Sequence, residues 1–596
     1  MSDLLNSASL VMIPSGYKED VVYSQIPTNG NGDLSFTRAS NGTRVNSAGL
    51  VEVVPWNLVE YSETFDNVAW IKSNANITAN NTTAPNGTAT ADKIAANGTL
   101  TSSYFGVGKS ITNNIIGQNY TETIYVKAGT ITQMMMYLGS SNGIYWNLSN
   151  GQFISYYSGV QNIIAYNSEA VGDGWYKYTI TINAPNTTID FEIYGAKSGA
   201  FIGNYTTADN YYLWGAQLNI GSTAKPYFPT TDRQNVPRLT YQNGGGGCPS
   251  LLLEKQSTNE ANYSQQFDDS YWAKNNQSVT ANATTSPDGT QNADLLIPSA
   301  GSGDHYLLSG TISNVSGQVV TLTLFVKKKE NDYFYFGTGG ASAFGAVVYQ
   351  FSTNTFVVSG LSATATNFGN GWIRLSITGT TGATDLRFLF TPTDSTGSRT
   401  YNANGTDGTY IWGAQAEASS YPTSYIPTTS SSATRVADFA TTNNISSLFG
   451  STEGSFFIEM TYDNSNASGA IPLFLRSSAN AAYNYATYLQ FGGGTVQFYV
   501  YDSGSSQASM TSSAIYTTGQ KLKIAFAYKQ NDFVIYVNGV QIGTDANGSI
   551  STSLAFIDLG TYNQVADTYR YNGAISEAVL FPTRLTNAEL ASLTTI

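Results

Sequence analysis

Apolar and polar positions alternate along short runs that recur through most of the chain. Residues 123–127 read TIYVK and residues 321–327 read TLTLFVK, and apolar side chains stand at every second position over most of each run. This period of two is typical of a strand with one buried face. No heptad pattern is sustained, so a coiled coil is not predicted. The pattern predicts a β-rich chain with short turns.

Two local signals near the C-terminus are more specific. Residues 533–537 read FVIYV, Asn538 and Gly539 follow, and the chain continues as VQIG. Both turn residues tolerate positive φ, so this run predicts a hairpin with a type I′ turn. Thr586 and Glu589 have the spacing of a capping box, which predicts a short helix carrying Leu590 and Leu593.

The chain also repeats itself. Residues 65–72 read FDNVAWIK and residues 267–274 read FDDSYWAK, and two further words recur, GDGW at 172–175 with GNGW at 369–372, and WGAQ at 214–217 and 412–415. A duplicated module more often repeats a binding surface or adds length than carries two active sites. Each copy is long enough for a sandwich of eight or more strands. The predicted fold class is all-β, with tandem jelly-roll β-sandwiches, short turns and one short C-terminal helix.

Turn-rich segments divide the chain. Residues 1–50 are too few to bury a core of their own, and we expect this piece to dock on a partner chain or a larger assembly. The first repeat spans 51–230 and the second spans 251–430. The tetraglycine at 244–247 marks 231–250 as a linker between the repeats. Residues 440–596 differ from both repeats and predict a third sandwich.

Composition and charge narrow the range of partners. Charged residues make up 11% of the 596 residues, and the formal net charge is −13. Long basic runs are absent from the sequence, which argues against nucleic acid and against anionic membrane surfaces as partners. We expect no membrane insertion and no secretion, because no apolar stretch reaches spanning length and the first residues lack a signal pattern.

Two residue counts limit the available chemistry. Cys248 is the single cysteine, which excludes an intramolecular disulfide and a zinc site with several thiolates. His305 is the single histidine, so any Ser-His-Asp or Cys-His site would depend on it. Neither residue lies in a hydrolase motif, and we expect both to be structural. The protein is therefore predicted not to be an enzyme.

Aromatic residues have two interpretations. Six tryptophans at matched places in the repeats adjoin apolar runs, and we expect them in the cores: Trp70, Trp175, Trp214, Trp272, Trp372 and Trp412. Aromatic residues that differ between the copies are better candidates for stacking on sugar rings. These glycan-binding candidates are Tyr137, Tyr145, Trp146, Tyr156 and Tyr157.

Four carboxylates also recur at matched places, namely Asp66, Asp92, Asp268 and Asp294. We expect them to accept hydrogen bonds from turn amides. The alternative is that they hold Ca²⁺ together with backbone carbonyls. No other cofactor is expected.

Longer words in the sequence point to known families. KIAFAY at 523–528, YVNG at 536–539 and GAISEAVLF at 573–581 resemble the concanavalin A-like, laminin-G-like jelly-roll family. The words shared by the two repeats resemble the carbohydrate-binding-module-like sandwiches of bacteriophage fibre and appendage proteins. FTRAS at 36–40, TRV at 43–45 and TRVAD at 434–438 also resemble structural proteins of tailed phages.

This resemblance implies a non-enzymatic bacteriophage virion structural protein, a tail or head fibre or appendage made in the host cytoplasm. It would project lectin-like domains toward host-surface polysaccharide. It would form a homo-oligomer, a trimer, held to other virion proteins through residues 1–50.

Two alternatives stay open. One is a polysaccharide depolymerase or glycoside hydrolase subunit, which would need a catalytic domain such as a long β-helix, and no short-period repeat is visible in the sequence. The other is a bacterial surface adhesin, which should carry a signal or an anchor.

Overall fold

The computed structural model confirms the predicted fold class, with 52% of residues in strands and 2% in helices. It describes residues 2–112, 114–139, 142–158, 162–313, 315–358, 360–382, 385–463, 469–478, 485–550, 553–561 and 569–596. The chain forms two compact units. Unit 1 comprises Met1–Val54, Gln234–Ala281 and Asp294–Ile596, and unit 2 comprises Pro55–Arg233 and Asn282–Ala293.

Unit 2 contains the sandwich of the first repeat, built from two six-stranded antiparallel sheets. The first sheet has the spatial order Phe153–Tyr156, Gly143–Asn147, Gln133–Tyr137, Ile189–Ala196, Gly106–Ile111 and Ile71–Ser73. The second sheet has the order Ile163–Gly172, Trp175–Asn183, Asn119–Ala128, Asn210–Ile220, Ala91–Ala96 and Ala75–Thr82. A small ladder joins Leu100–Ser103 to Gly203–Tyr205. Alternate residues of each strand face the core, as the period of two predicts.

The second repeat has the same plan. Its first sheet has the order Ala273–Asn275, Tyr306–Leu308, Arg387–Thr393, Tyr333–Gly339, Ala346–Gln350 and Thr355–Val358. Its second sheet has the order Gln277–Thr284, Ala293–Pro298, Thr409–Glu417, Val319–Lys328, Trp372–Thr380 and Ser362–Gly369. Two short ladders join Ser257–Asn259 to Ala433–Arg435 and Gly301–Asp304 to Thr400–Ala403. The six repeated tryptophans are all buried. Trp70 and Trp272 lie in the sandwich cores, as predicted, whereas Trp175 and Trp214 pack in a separate small cluster outside the core of the first repeat.

The C-terminal sandwich is built from two larger sheets. One has the order Leu239–Thr240, Ser250–Leu253, Gly573–Phe581, Glu453–Thr461, Lys521–Lys529, Asp532–Val537 and Val540–Asp545, with Leu10–Met12 also paired to Gly573–Phe581. The other has the order Tyr17–Lys18, Val21–Val22, Leu34–Thr37, Phe439–Thr442, Phe556–Leu559, Ala470–Arg476, Ala486–Gly492, Thr495–Asp502 and Ser505–Thr511.

Both local C-terminal predictions are confirmed. Asn538 and Gly539 have φ values of 49° and 80° and join the strands Asp532–Val537 and Val540–Asp545. The helix Asn587–Thr594 begins with the complete capping box of Thr586 and Glu589. The other helices among the described residues are one turn at Ser2–Leu5 and a 3₁₀ turn at Ser446–Leu448. Among the described residues, no helix is both long and apolar enough to cross a membrane.

The N-terminal residues correct one expectation. The sequence predicts residues 1–50 as a separate docking piece, but Leu10–Met12 pairs with residues 578–580 and Leu34–Thr37 pairs with Phe439–Thr442. Leu10, Leu34 and Phe36 are buried in the core of the C-terminal sandwich. These residues cannot bury a core alone, and the sandwich of their own chain covers them. A further hairpin, Gly42–Val45 with Val51–Val54, follows.

The segment predicted as a linker is also structured. Leu239–Thr240 and Ser250–Leu253 pair with each other, and Ser250–Leu253 continues into the sheet through Gly573–Phe581. The tetraglycine lies in the loop of this hairpin, and all four glycines have positive φ, between 75° and 89°. Glycine adopts this conformation without the steric penalty of a Cβ atom. The glycines therefore mark a tight loop within unit 1 and not a boundary between independent parts.

A buried ion cluster fastens these segments together. We use that name for Arg38, Arg238, Glu254, Arg435 and Asp438. Asp438 binds Arg38 at 2.9 Å and also Arg238, and Glu254 lies 2.6 Å from Arg238 and 3.2 Å from Arg435. Burial alone would raise the pKa of Glu254, but the two guanidiniums lower it to about 2. The arginines of the FTRAS and TRVAD words thus serve the junction of N-terminal and C-terminal segments.

Candidate functional site

Six aromatic side chains cluster on the outer face of the first sheet of the first repeat. We call this cluster the aromatic face and define it as Tyr104, Tyr137, Tyr145, Tyr157, Tyr194 and Phe201. The strands Gln133–Tyr137, Gly143–Asn147 and Ile189–Ala196 supply three members at positions that point away from the core. The other three stand in the turns that flank this sheet.

The rings contact one another in edge-to-face and tilted pairs. Phe201 lies between the two most exposed rings, with its centroid 5.6 Å from Tyr104 and 5.4 Å from Tyr157. Tyr157 also lies 5.9 Å from Tyr137, and Tyr104 lies 5.2 Å from Tyr194. These spacings are typical of favourable aromatic pairs. The cluster is therefore a continuous aromatic surface.

The cluster has a buried layer of rings and an exposed layer of rings. Tyr145 and Tyr194 are only 5% and 7% exposed, whereas Tyr104 and Tyr157 are 37% and 40% exposed. Burial raises the pKa of Tyr194, and its hydroxyl hydrogen-bonds to Glu192 and Ser73. The buried rings thus fix the positions of the exposed rings, which present their surface to solvent.

A glycine allows the rings to close over the sheet. A Cβ atom built on Gly143 would lie 3.1 Å from the Cβ of Tyr157 and 3.3 Å from the Cδ2 of Tyr137. These contacts are tighter than ordinary van der Waals packing. The absent side chain therefore gives the two tyrosines room to meet.

Carboxylates stand beside the rings. Asp190 and Glu192 share the outward side of the strand Ile189–Ala196 with Tyr194. Ser110 donates a hydrogen bond of 2.6 Å to Asp190. Burial raises the pKa of Glu192, and the hydrogen bond to Tyr194 opposes that rise. Hydrogen-bond acceptors therefore border the aromatic surface.

The second repeat lacks this cluster. Lys72 and Lys274 stand at matched places in the two repeats. The strand pairings that lead from these lysines across each sheet align Tyr137 with Gly337, Tyr145 with Val348 and Tyr194 with Thr391. Its outer face carries Tyr306 and Tyr335 instead, each within 5.6 Å of the Arg399 guanidinium carbon. Because the same fold forms with other residues at these three places, the sandwich does not require tyrosine there.

The structure separates the five glycan-binding candidates into two groups. Tyr137, Tyr145 and Tyr157 belong to the aromatic face, whereas Trp146 and Tyr156 do not. Trp146 is 2% exposed and packs in the core against Tyr178, at 5.1 Å. Tyr156 packs at the border of that core, against Phe153 at 4.9 Å. Adjacent residues of a strand point to opposite faces, so Tyr145 and Trp146 could not share one surface.

In each repeat, one of the two recurring carboxylates is buried and the other is exposed. Asp92 accepts hydrogen bonds of 2.9 Å from the backbone N–H groups of Phe65 and Asn80, and Asp294 accepts one of 2.9 Å from Phe267. Burial raises the pKa of Asp92 to about 6, against the effect of these hydrogen bonds. Asp66 and Asp268 are exposed.

Calcium at the recurring carboxylates stays a prediction. Within the described ranges, no group of three or more histidine, cysteine, aspartate or glutamate side chains has the arrangement of a metal site.

His305 and Cys248 lie apart from the aromatic face. His305 is 1% exposed, and its Nδ1 and Nε2 atoms lie 2.9 Å from the carbonyl oxygen of Asn276 and 3.2 Å from that of Tyr401. Both ring nitrogens thus face backbone oxygens rather than solvent. Cys248 is an exposed free thiol in the loop that follows the tetraglycine.

Residues 435–591 match the family described as the concanavalin A-like lectin/glucanases superfamily. The C-terminal sandwich is a concanavalin A-like domain. The resemblance noted in the sequence is confirmed for this domain, which covers about a quarter of the chain. No curated relative matches the chain.

Solved structures resemble parts of the chain. A SAP-like pentraxin from Limulus polyphemus is 14% identical, with a TM-score of 0.21, and the match covers 24% of this chain and 68% of that one. A carbohydrate-binding module of the Ruminococcus gnavus IT-sialidase, bound to sialyllactose, is 17% identical, with a TM-score of 0.23 and coverages of 26% and 91%. Domain 4 of the arabinanase AbnA from Geobacillus stearothermophilus is 16% identical, with a TM-score of 0.22 and coverages of 29% and 82%. Scores this low carry no argument about function.

Proposed function

We propose that this chain is a non-enzymatic carbohydrate-binding protein and that the aromatic face holds the saccharide. The observation that carries the proposal is the contact of six aromatic rings on an outer sheet surface whose counterpart in the second repeat has Gly337, Val348 and Thr391 at three of those places. A surface that the fold does not require is a candidate for binding.

The chemistry of the face suits a sugar chain. The C–H face of a pyranose ring is apolar and stacks on aromatic rings, while its hydroxyls need hydrogen-bonding partners. Tyr104 and Tyr157 offer exposed ring surface, and Asp190 and Glu192 offer acceptors beside it. The exposed rings stand on either side of Phe201, which favours an oligosaccharide over a single sugar unit.

A glycoside hydrolase is the second candidate, because Asp190 and Glu192 present two carboxyl groups on one side of a strand. We favour binding because both carboxyl groups are engaged by neighbours, Asp190 by Ser110 and Glu192 by Tyr194. Incubation with the bound polysaccharide should release no reducing ends, and release that Glu192→Gln abolishes would establish the hydrolase instead.

The biological setting is part of the proposal. The FTRAS and TRVAD words and the words shared by the repeats support a bacteriophage fibre or appendage, on tail or head, that contacts host-surface polysaccharide. A homotrimer would bring three aromatic faces together and raise the effective affinity of a weak site. Sedimentation of the full-length chain tests this point, with a trimer as the expected mass and a monomer at micromolar concentration as the contrary result.

Affinity electrophoresis through gels that contain neutral or acidic polysaccharides tests the binding surface. The chain should be retarded by at least one polysaccharide, and Tyr104→Ala with Tyr157→Ala should weaken that binding at least tenfold. Tyr23→Ala is the matched control, because Tyr23 is equally exposed, at 37%, and belongs to unit 1. Retardation that the double variant keeps in full would overturn the proposal.

A further inference from the structure

A cavity lies on the second repeat, within unit 1. The outer face of the sheet that contains Val319–Lys328 and Trp372–Thr380 is covered by the hairpin Gly42–Val45 with Val51–Val54, and a cavity of about 310 Å³ remains under this cover. Pockets for small ligands start at about this size. Its floor includes Phe325, Arg374 and Tyr425, and Asn243, Thr364 and Thr366 stand at its exposed rim.

Arg374 brings to the floor a positive charge that has no carboxylate partner, and its guanidinium carbon lies 5.4 Å from the centroid of the Phe325 ring. It is 8% exposed, and two of its five N–H donors are used, by Nη1 on the carbonyl oxygen of Thr423 at 2.7 Å and by Nη2 on the hydroxyl of Thr323 at 3.0 Å. Its Nε is buried without a hydrogen-bond partner. Within the described part of the chain, no carboxylate lies within ion-pair distance of Arg374, although a buried cation normally requires one.

The nearest carboxylates already bind other side chains. Glu417 accepts hydrogen bonds from Ser257, Gln415 and Thr423, and Glu254 binds Arg238, Arg435 and Ser424. With Arg374 and Glu417, the buried ion cluster holds four guanidiniums and three carboxylates. One positive charge in this group therefore has no carboxylate of its own.

The first repeat shows what differs at the same place. Strand registers align Arg374 with Lys177, since each lies opposite an aromatic residue, Phe325 or Tyr125. Lys177 is 25% exposed at its side chain and lies 3.9 Å from Glu169. The positive charge at this place is thus partly solvated and close to a carboxylate in the first repeat. In the second repeat it is buried and has no carboxylate partner.

We propose that this cavity binds a sugar that carries a carboxylate, with the carboxylate on Arg374. Apart from the buried Nε–H, Nη1 and Nη2 each have one donor left, and carboxylates match the fork geometry of a guanidinium. The partly exposed ring of Phe368 also lines the cavity, and the hydroxyls and amide at the rim suit the hydroxyls of a sugar. This inference rests on the proposed carbohydrate-binding function and adds a second site, with acidic sugars as its ligand class.

The test is a titration of the full chain with sodium glucuronate, glucose and acetate at fixed ionic strength, followed by saturation-transfer NMR. Glucuronate should bind saturably, and both glucose and acetate should bind at least tenfold more weakly. Arg374→Gln should weaken glucuronate binding at least tenfold. Arg387→Gln is the matched control, since Arg387 is a half-exposed arginine of the same repeat that pairs with Asp385, and it should change binding less than twofold.

A second variant keeps the inference testable if Arg374→Gln does not fold. Thr364 is exposed on the edge strand Ser362–Gly369, so Thr364→Trp should fold, obstruct the rim and also weaken glucuronate binding at least tenfold. Glucuronate binding that survives both variants, or acetate that binds as well as glucuronate, would overturn the inference. A chain that polysaccharide gels retard but that does not bind glucuronate would overturn this inference alone and leave the proposed function standing.

Discussion

Glu122 offers a sharp test of how the first repeat is packed. It lies in the strand Asn119–Ala128 opposite Ile180 and Leu218, on the side that faces the core. Its side chain is fully buried, and neither carboxyl oxygen has a hydrogen-bond partner. The second repeat has Leu322 at this place, also fully buried. Glu122→Leu should therefore stabilise unit 2.

The size of the effect follows from two costs. A buried polar group without a partner costs about 1–3 kcal/mol. Burial, with a smaller effect of Glu192, raises the pKa of Glu122 well above its ordinary value. The unfolded chain releases the proton above about pH 4.3 while the folded chain retains it, so each further pH unit costs the folded state about 1.4 kcal/mol.

Because the pKa of Glu122 is higher in the folded chain than in the unfolded chain, the sign of the pH dependence is fixed. Below the unfolded pKa, both states hold the proton and only the first cost applies. As pH rises from there to the folded pKa, the advantage of Glu122→Leu should grow by about 1.4 kcal/mol per unit. Hydrogen exchange of the peptides that cover Asn119–Ala128 and Trp175–Asn183, followed between pH 4 and pH 8, measures this difference.

Glu169→Leu is the matched control, because that carboxylate lies in the same sheet and its side chain is 62% exposed. It should change the free energy of opening by less than about 1 kcal/mol. A Glu122→Leu chain that opens as easily as the parent at pH 7, or a difference that stays constant from pH 4 to pH 8, would refute the assignment of a protonated carboxyl in the core.

Three further perturbations test the rest of the fold. Asp438→Asn should lower the free energy of unfolding in denaturant by about 3–5 kcal/mol, because Arg38 and Arg238 would stay buried with less negative charge. Asp385→Asn is the control, and it should have a much smaller effect because the Asp385–Arg387 pair is exposed to solvent. Removal of residues 1–37 should expose the core of the C-terminal sandwich and raise dye binding, because it takes the strands Leu10–Met12 and Leu34–Thr37. Removal of residues 1–8 should raise dye binding much less, because it leaves both strands in place and removes only partly buried apolar residues. Thr586→Ala should cost about 1 kcal/mol, seen as faster exchange in Asn587–Thr594 and not elsewhere.

The parts of the fold that sequence could predict are those whose signals are local. The turn at Asn538 and the capping box at Thr586 each depend on a few neighbouring residues, and both are confirmed. The pairing of Leu10–Met12 with residues 578–580 has no local signal, because its partner lies at the other end of the chain. The sandwich is therefore completed by residues that the sequence assigns to a separate piece.

The candidate site was partly accessible from sequence. Comparing the two copies finds Tyr137, Tyr145 and Tyr157, but it also selects Trp146, because core residues differ between the copies as well. Tyr194 was missed, although the alternation of Ile189–Ala196 places it on the outward side with Glu192. The same alternation separates Trp146 from Tyr145. Tyr104 and Phe201 lie in turns, and no period predicts which way their side chains point.

Hydroxyl-radical footprinting with and without a retarding polysaccharide tests the central claim most directly, because tyrosine oxidation reports the accessibility of each ring. Tyr104 and Tyr157 should be protected when the polysaccharide is bound, while Tyr23, which is exposed to a similar degree, should be oxidised at an unchanged rate. Unchanged oxidation of Tyr104 and Tyr157 in the presence of a polysaccharide that binds the chain would contradict the account and place the saccharide elsewhere on the molecule.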